Sequence, residues 1–446
     1  MNSNSTWNLV RIGDLANIEH GWAFKSDFLS EELTGNPIVV NIGNFQYTGG
    51  FRFETTRTRE YRGDYPPEYE LEPNDILLIM TCQTAKGEIL GVPAEVPDDG
   101  HVYLHNQRLG KVVVKHPDRV DPEFLYWLFL WPKFNHELYL TASGTKILHT
   151  APSRIEAFEF LLPPLPEQRA IAHILGTLDD KVELNRRMNA TLEAMARAIF
   201  KSWFVDFDPA RANRGELDRS LPPDILALFP DAFVESELGP IPAGWEIAPV
   251  KALVSLERNR ISPADFPDET FYYFSFPAYD EGKRPRLEAG VEIRSSKYLV
   301  PTGCVLLARL NPRFPKVWMP FFDDSHRPIC STEFLVTVPK GKSSREYLYA
   351  LFSSDAFFNR FENLVTGTSS SHQRVKQSSF LSMKTVVPPR ELVQAFTGLV
   401  QPIYQKISHN RDESRTLADL RDTLLPKLIS GELRVPTDLL ALETVE

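Results

Sequence analysis

The chain repeats itself. Phe124-Leu-Tyr-Trp-Leu-Phe129 matches Tyr347-Leu-Tyr-Ala-Leu-Phe352 at a spacing of 223 residues, and Gly144-Thr145 falls on Gly367-Thr368 and His149 on His372 at the same spacing. Pro163-Pro164 then falls on Pro388-Pro389 at a spacing of 225. That second register continues through Lys181, Asn185, Arg186, Thr191 and Leu192, which recur as Lys406, Asn410, Arg411, Thr416 and Leu417. Trp7 and Trp245 open the two halves, followed by Ile12 and Leu15 in one and by Val250 and Leu253 in the other. Matches in one unbroken order mean that whatever one half builds, the other builds again. At 446 residues the chain is too long for one ordinary core, so each half is expected to have its own.

Each repeat ends in a long amphipathic helix. After Pro163-Pro164-Leu-Pro166 comes an acidic first turn with Glu167, and no proline intervenes before Pro209. Ile171, Leu178, Asn185, Leu192 and Ile199 form one heptad column, with Ile174, Lys181, Met188 and Met195 read as its companion. The second helix repeats the pattern with Phe396, Ile403, Asn410, Leu417 and Leu424, and with Leu399, Lys406 and Leu420 as companions. A polar residue in a helix seam costs stability and fixes register, so the two helices are expected to pack on each other. If the halves are related by a pseudo-twofold axis, the helices run antiparallel and Asn185 approaches Asn410 near that axis. A helix of about 38 residues is roughly 57 Å long and would act as a spacer. Pro426 stands where the first helix has Lys201 and is expected to kink or end the second helix about a turn early.

The globular parts carry short apolar runs of strand character, such as Ile76-Leu-Leu-Ile79 with Lys111-Val-Val-Val114, and Val305-Leu-Leu307 with Phe334-Leu-Val336. With helices near 123–130 and 345–351 these predict a mixed sheet, placing the chain in the α+β class. The Pro-rich stretch between Asp206 and Gly244 reads as an ordered linker. The expected divisions are 1–163 and 241–387 for the modules, 164–206 and 388–431 for the helices, 207–240 for the linker and 432–446 for a tail. Cys82, Cys304 and Cys330 form no metal-type pair and read as buried thiols. No apolar run reaches the roughly 20 residues of a membrane span, and the polar start lacks a secretory segment, so no membrane partner and a cytoplasmic location are expected.

A net charge of −10 is unfavourable for a nucleic-acid binder, but charge is distributed unevenly. Eight basic residues (Lys283, Arg284, Arg286, Arg294, Lys297, Arg309, Arg313, Lys316) face only Glu288 and Glu292 within 283–316. The stretch 363–390 carries Arg374, Lys376, Lys384 and Arg390 with no acid, and 141–154 carries Lys146 and Arg154 with none. These are candidate phosphate-facing strips. The equivalent loops Gly144-Thr-Lys-Ile-Leu-His149 and Gly367 to Arg374 combine small residues with donors. Thr145, Lys146 and His149 in one, and Thr368, His372, Gln373 and Arg374 in the other, are therefore candidate DNA contacts. Asn106, Gln107 and Arg108, and Arg309, Asn311 and Arg313, are the side-chain types that suit adenine and guanine edges. Catalytic patterns are weak. His101 and His105 lack the intervening Glu of a zinc-hydrolase helix. Asn311-Pro-Arg-Phe314 departs from the amino-methyltransferase loop at Arg313. Pro267-Asp268 with Glu281-Gly-Lys283 fits a metal-dependent nuclease only loosely. A nuclease and a protein-binding scaffold are the alternatives to DNA binding.

Leu162-Pro-Pro-Leu-Pro-Glu-Gln-Arg-Ala-Ile171, Leu178-Asp-Asp-Lys-Val-Glu-Leu-Asn-Arg-Arg187, and the run from Leu192 through Phe200-Lys-Ser-Trp-Phe-Val-Asp206 resemble the central region of type I restriction-modification specificity subunits. Gly239-Pro-Ile-Pro-Ala-Gly-Trp245 resembles that family's entry to its second module, and Gly21-Trp-Ala-Phe-Lys-Ser26 a segment of its first. The resemblance implies two target recognition domains, each reading one half of a bipartite DNA sequence, separated by an antiparallel helix pair that sets the gap. It implies double-stranded DNA, two modification subunits and restriction subunits as partners, with S-adenosylmethionine, ATP and Mg held by those partners. It implies no catalysis, cofactor or metal in this chain.

Overall fold

A computed structural model of the chain describes residues 7–84, 87–218, 221–366 and 373–436. It divides into two compact units, Met1–Glu183 with Glu413–Glu446, and Leu184–Asp412, so each unit holds one module and parts of both long helices. In the first module the strands are β1 (Asn8–Arg11), β2 (Ala16–His20), β3 (Ile76–Ile79), β4 (Thr81–Cys82), β5 (Pro93–Glu95), β6 (Leu109–Val114), β7 (Leu148–His149) and β8 (Glu159–Leu162). Helices α1 (Pro122–Phe129) and α2 (Pro132–Thr141) lie between β6 and β7, and α3 (Leu165–Phe204) follows β8. In the second module the matching strands are β9 (Glu246–Pro249), β10 (Val254–Glu257), β11 (Val305–Ala308), β12 (Val317–Trp318), β13 (Phe334–Pro339), β14 (Arg374–Val375) and β15 (Lys384–Val387). Its helices are α4 (Arg345–Ser353), α5 (Asp355–Glu362) and α6 (Arg390–Ser430).

The repeat seen in the sequence is a repeat of topology. The antiparallel sheet of the first module has the order β2-β6-β3-β5 and that of the second β10-β13-β11-β12. The entering and leaving strands pair in both, β1 with β8 and β9 with β15. Every side chain of β3 and of β11 is buried, which is why both read as unbroken apolar runs instead of alternating ones. The matched hexapeptides are α1 and α4. Asp121 caps the first by accepting from the Phe124 amide (3.1 Å), and Ser344 caps the second by accepting from Tyr347 (3.1 Å). Each inserts its aromatic and leucine side chains into its own core.

A second, five-stranded sheet differs between the modules. Its order is Leu29–Ser30, Glu60–Tyr61, Ile38–Val39, Tyr103–Leu104, Glu70–Leu71 in the first. In the second it is Arg260–Ile261, Lys297–Leu299, Arg327–Cys330, Thr270–Phe274, Arg286–Ala289. Both keep one parallel pair, Tyr103 beside Ile38 and Phe271 beside Arg327, while the flanking strands arrive from different places. All three cysteines are buried thiols.

The long helices pack antiparallel within each unit: Asn189 meets Asn410 and Phe200 meets Phe396 in one, and Asp179 meets Arg421 in the other. The seam corrects the companion column read from the sequence. Ile171, Asn185, Phe396 and Asn410 are buried as expected, but their buried companions are Leu175, Ala196, Trp203, Val400, Ile407 and Leu428, each one residue later than the expected column. Met195, Leu399 and Leu420 are exposed. A heptad with apolar residues on both flanks of one column leaves its inward flank open. Here the modules decide it, because Leu175 joins the core of the first and Val400 and Ile407 that of the second. Lys181 and Lys406 therefore sit on the rim, with Lys181 3.7 Å from Glu413 and Lys406 exposed. Asn410 donates to Asn189 (2.9 Å), one helical turn on from Asn185, the residue expected to approach it, and both Asn185 and Asn410 are fully buried.

Pro426 does not end α6, which runs on to Ser430. A proline removes one intrahelical N–H bond at a cost of about 3 kcal/mol. The flanking Leu425, Leu428 and Ile429 offset this by burial in the first module's core. The helix ends at Gly431, in the left-handed region at φ +77°, with the Leu433 amide reaching back to the Lys427 carbonyl (2.9 Å). Beyond it the expected tail begins as packed chain: Val435 is buried, and Arg434 bonds Glu167 through Nε (2.6 Å) and Nη2 (2.7 Å).

Candidate nucleic-acid interface

Three chain segments converge where β3 runs out. The Met80 amide donates to the Arg108 carbonyl (3.0 Å), and the Met80 carbonyl accepts from the Thr150 amide (2.9 Å). The turn 106–108 and strand β7 are thereby held on either side of residues 80–82. Asn106 builds the turn, its Oδ1 accepting from the Arg108 amide (3.0 Å), which leaves Gln107 and Arg108 exposed. A Cβ at Gly21 would lie 2.3 Å from the Asn106 carbonyl oxygen, so only glycine lets the Gly21-Trp22 segment pass this close. On the other side Gly144, at φ +105°, closes a tight loop that exposes Thr145 and Lys146. The ring nitrogen Nδ1 of His149 lies 3.0 Å from the Thr81 hydroxyl. Arg154 is exposed on the one-turn helix Pro152–Glu156 that follows. One end of the four-stranded sheet thus gathers Gln107, Arg108, Thr145, Lys146 and His149.

The second module has the same frame. The Arg309 amide donates to the Glu333 carbonyl (3.0 Å), the Arg309 carbonyl accepts from Val375 (3.0 Å), and the Asn311 amide donates to the Gln373 carbonyl (2.9 Å). By these partners the residue standing where His149 stands is Arg374, a spacing of 225, so the sequence pairing of His149 with His372 is corrected. The change of spacing falls before this strand, within the preceding loop, and not at the prolines. Thr368 and His372 lie outside the described residues. Asn311, at φ +48°, turns the chain outward, and Arg313 stacks over the ring of Phe314 (4.9 Å), which is 58% exposed. Gln373 is half-buried, and Arg374 and Lys376 are exposed.

The basic run 283–316 is not one strip. Lys316 is paired with Asp280 and lies over the Tyr279 ring (5.1 Å); Arg286 is paired with Glu281, and Arg284 lies 3.5 Å from Asp412. Lys297 is buried, which lowers its pKa, and donates to Ser295. Lys283 turns to the Tyr349 hydroxyl (3.4 Å) in a cavity of about 220 Å³ shared with Tyr279, Tyr404 and Arg197. With Glu281 held by Arg286 and Lys283 by Tyr349, the carboxylate and lysine of the nuclease pattern engage different partners. No group of three His, Cys, Asp or Glu among the described residues could hold a metal ion. Sequence reasoning missed Glu333, although at a spacing of 225 it falls on Arg108.

His105, beside this turn, is buried with Nε2 3.0 Å from the Leu109 carbonyl. Burial pushes its pKa down from 6.5 to about 4 against the pull of that carbonyl. The folded state therefore binds fewer protons than the unfolded one between those values. The resulting stability is complete above pH 6.5 and is lost as pH falls toward 4, by at most about 3 kcal/mol. In His105→Gln this part of the pH dependence of urea unfolding should vanish; an unchanged slope between pH 4 and 6.5 would assign it elsewhere.

The family model described as "Type I restriction modification DNA specificity domain" matches residues 4–194. Over that stretch the chain is similar to the type I restriction-modification specificity family. A type I restriction enzyme HindI specificity subunit of Haemophilus influenzae is 25% identical, covering 96% of this chain and 100% of that relative. The MjaIX specificity subunit of Methanocaldococcus jannaschii is 24% identical, covering 74% of this chain and 73% of its own length. The crystal structure of a type I S subunit from M. genitalium shares the fold, with a TM-score of 0.58 at 15% identity over 96% of this chain and 97% of that one. No helix among the described residues is long and apolar enough to cross a membrane.

Proposed function

We propose that the chain is the non-catalytic DNA-recognition subunit of a type I complex, each module reading one half of a bipartite duplex sequence. The observation that carries this is the shared frame. Two modules hold the same three segments by the same main-chain bonds and display different side chains there, Arg108 with His149 in one and Arg309, Glu333 and Arg374 in the other. Identical scaffolds with different polar side chains at one sheet end suit two different strings of base edges. Arg154, Lys146 and Lys376 supply cations for phosphates.

In this reading two modification subunits dock on the helix pair and carry S-adenosylmethionine for adenine methylation. Restriction subunits, using ATP and Mg, join the same assembly. The test is sequencing of methylated adenines in DNA from cells expressing the chain with its modification partner. A single two-part motif is expected. Absence of binding to any duplex at moderate salt by the assembled complex would reject the reading in favour of a protein-binding scaffold.

A further inference from the structure

One carboxylate stands at the sheet end where the second module presents its cations. Glu333 accepts from Arg374 through Nε (3.0 Å) and Nη2 (2.9 Å), and lies 3.6 Å from Nε of Arg309. Its side chain is 21% exposed and that of Arg374 45%. A carboxylate here weakens attraction for phosphates, so an arrangement serving affinity alone would lack it. A two-point bond from a carboxylate instead fixes the plane of a guanidinium, and planar, two-point recognition is what arginine offers a guanine edge. The same backbone position in the first module carries Arg108, a reversal of charge on one frame.

We propose that Glu333 is a positioning residue for base reading: its two-point bond fixes the Arg374 guanidinium, with Arg309 beside it, and the half-site read by the second module contains a G·C pair recognised through Arg374. This rests on the reading of the modules as half-site readers. It adds the base class and the residue on which discrimination depends.

The test uses the full chain in complex with its modification subunits, comparing the parent with Glu333→Gln, which keeps shape and removes charge. Methylation of targets substituted at one G·C pair of one half should rise relative to the parent target by on the order of ten- to a hundred-fold, with the other half unaffected. Binding to random duplex should hold or strengthen, with a steeper salt dependence, because a repulsive charge is gone. A purely structural role would instead weaken both. Arg374→Lys, which keeps the charge and loses the fork, should relax the same base pair, and it decides the matter should the glutamine variant fail to fold. An unchanged motif in both variants, or a half-site without a G·C pair, overturns the proposal while leaving the two-reader model intact. Absence of any sequence preference in the parent complex overturns both.

Discussion

Arg434→Ala should destabilise the chain by about 3 kcal/mol, although it removes a half-exposed residue past the end of the last helix. The reason lies in what it leaves behind. The Glu167 side chain is 4% exposed and is held by Arg434 and by the Trp7 indole N–H (3.1 Å). Without the guanidinium a buried carboxylate keeps one neutral donor. The cost stands at the low end of the range for breaking buried pairs because Arg434 is 47% exposed, so part of its charge is already hydrated. Glu167→Ala should cost less, since the arginine it frees can turn to water. The order of the two variants in urea unfolding is the discriminating result. An arginine variant within 1 kcal/mol of the parent would mean the Arg434–Glu167 pair adds little to the first unit.

If each module reads one half-site as proposed, exchanging the first module for that of a type I specificity subunit should replace one half of the methylated motif and leave the other half unchanged. One joint favours tolerance of such an exchange. Gln168, fully buried at the start of α3, accepts from the Asp121 amide (2.9 Å) and donates to the carbonyls of Arg119 (2.9 Å) and Pro163 (2.8 Å). All three partners are main-chain atoms, so this joint depends on backbone path, while the side chains that pack on Leu175, Leu425 and Leu428 must be kept apolar in the exchanged module. The junctions belong just outside the β1–β8 pair, before Asn8 and after Leu162, so that neither strand is divided. Methylome sequencing of the chimera reads the outcome directly. A change in both halves would remove the assignment of one module to one half.

Much of this architecture was legible because packing writes itself into sequence twice. The Phe124 and Tyr347 hexapeptides match because each must fill a core against the same sheet. The segment after Pro163-Pro164 reads as a helix from its prolines, its acidic first turn and its heptad, and α3 begins at Leu165. The candidate site was legible only in part. Asn106 and Arg108 lie on the turn segment of the first module's frame and Arg309 and Asn311 on a different segment of the second's, while Lys297 is buried and Lys316 and Arg286 are neutralised by Asp280 and Glu281. Counting charges along the chain cannot show which acids fold back against them.

The sequence by itself determined that there are two equivalent modules and two long helices with a polar break in each, and it carries the resemblance to one family over residues 4–194. These follow from residue types at fixed spacings, which survive without knowledge of contacts. The tertiary structure alone decided which flank of each helix is buried, that α6 passes through Pro426, that Arg434 returns to Glu167, and that Glu333 bonds Arg374 with Arg309 3.6 Å away. Each of these turns on a partner far away in sequence. A local pattern can state that a residue is apolar or charged, but only the folded chain chooses what it faces.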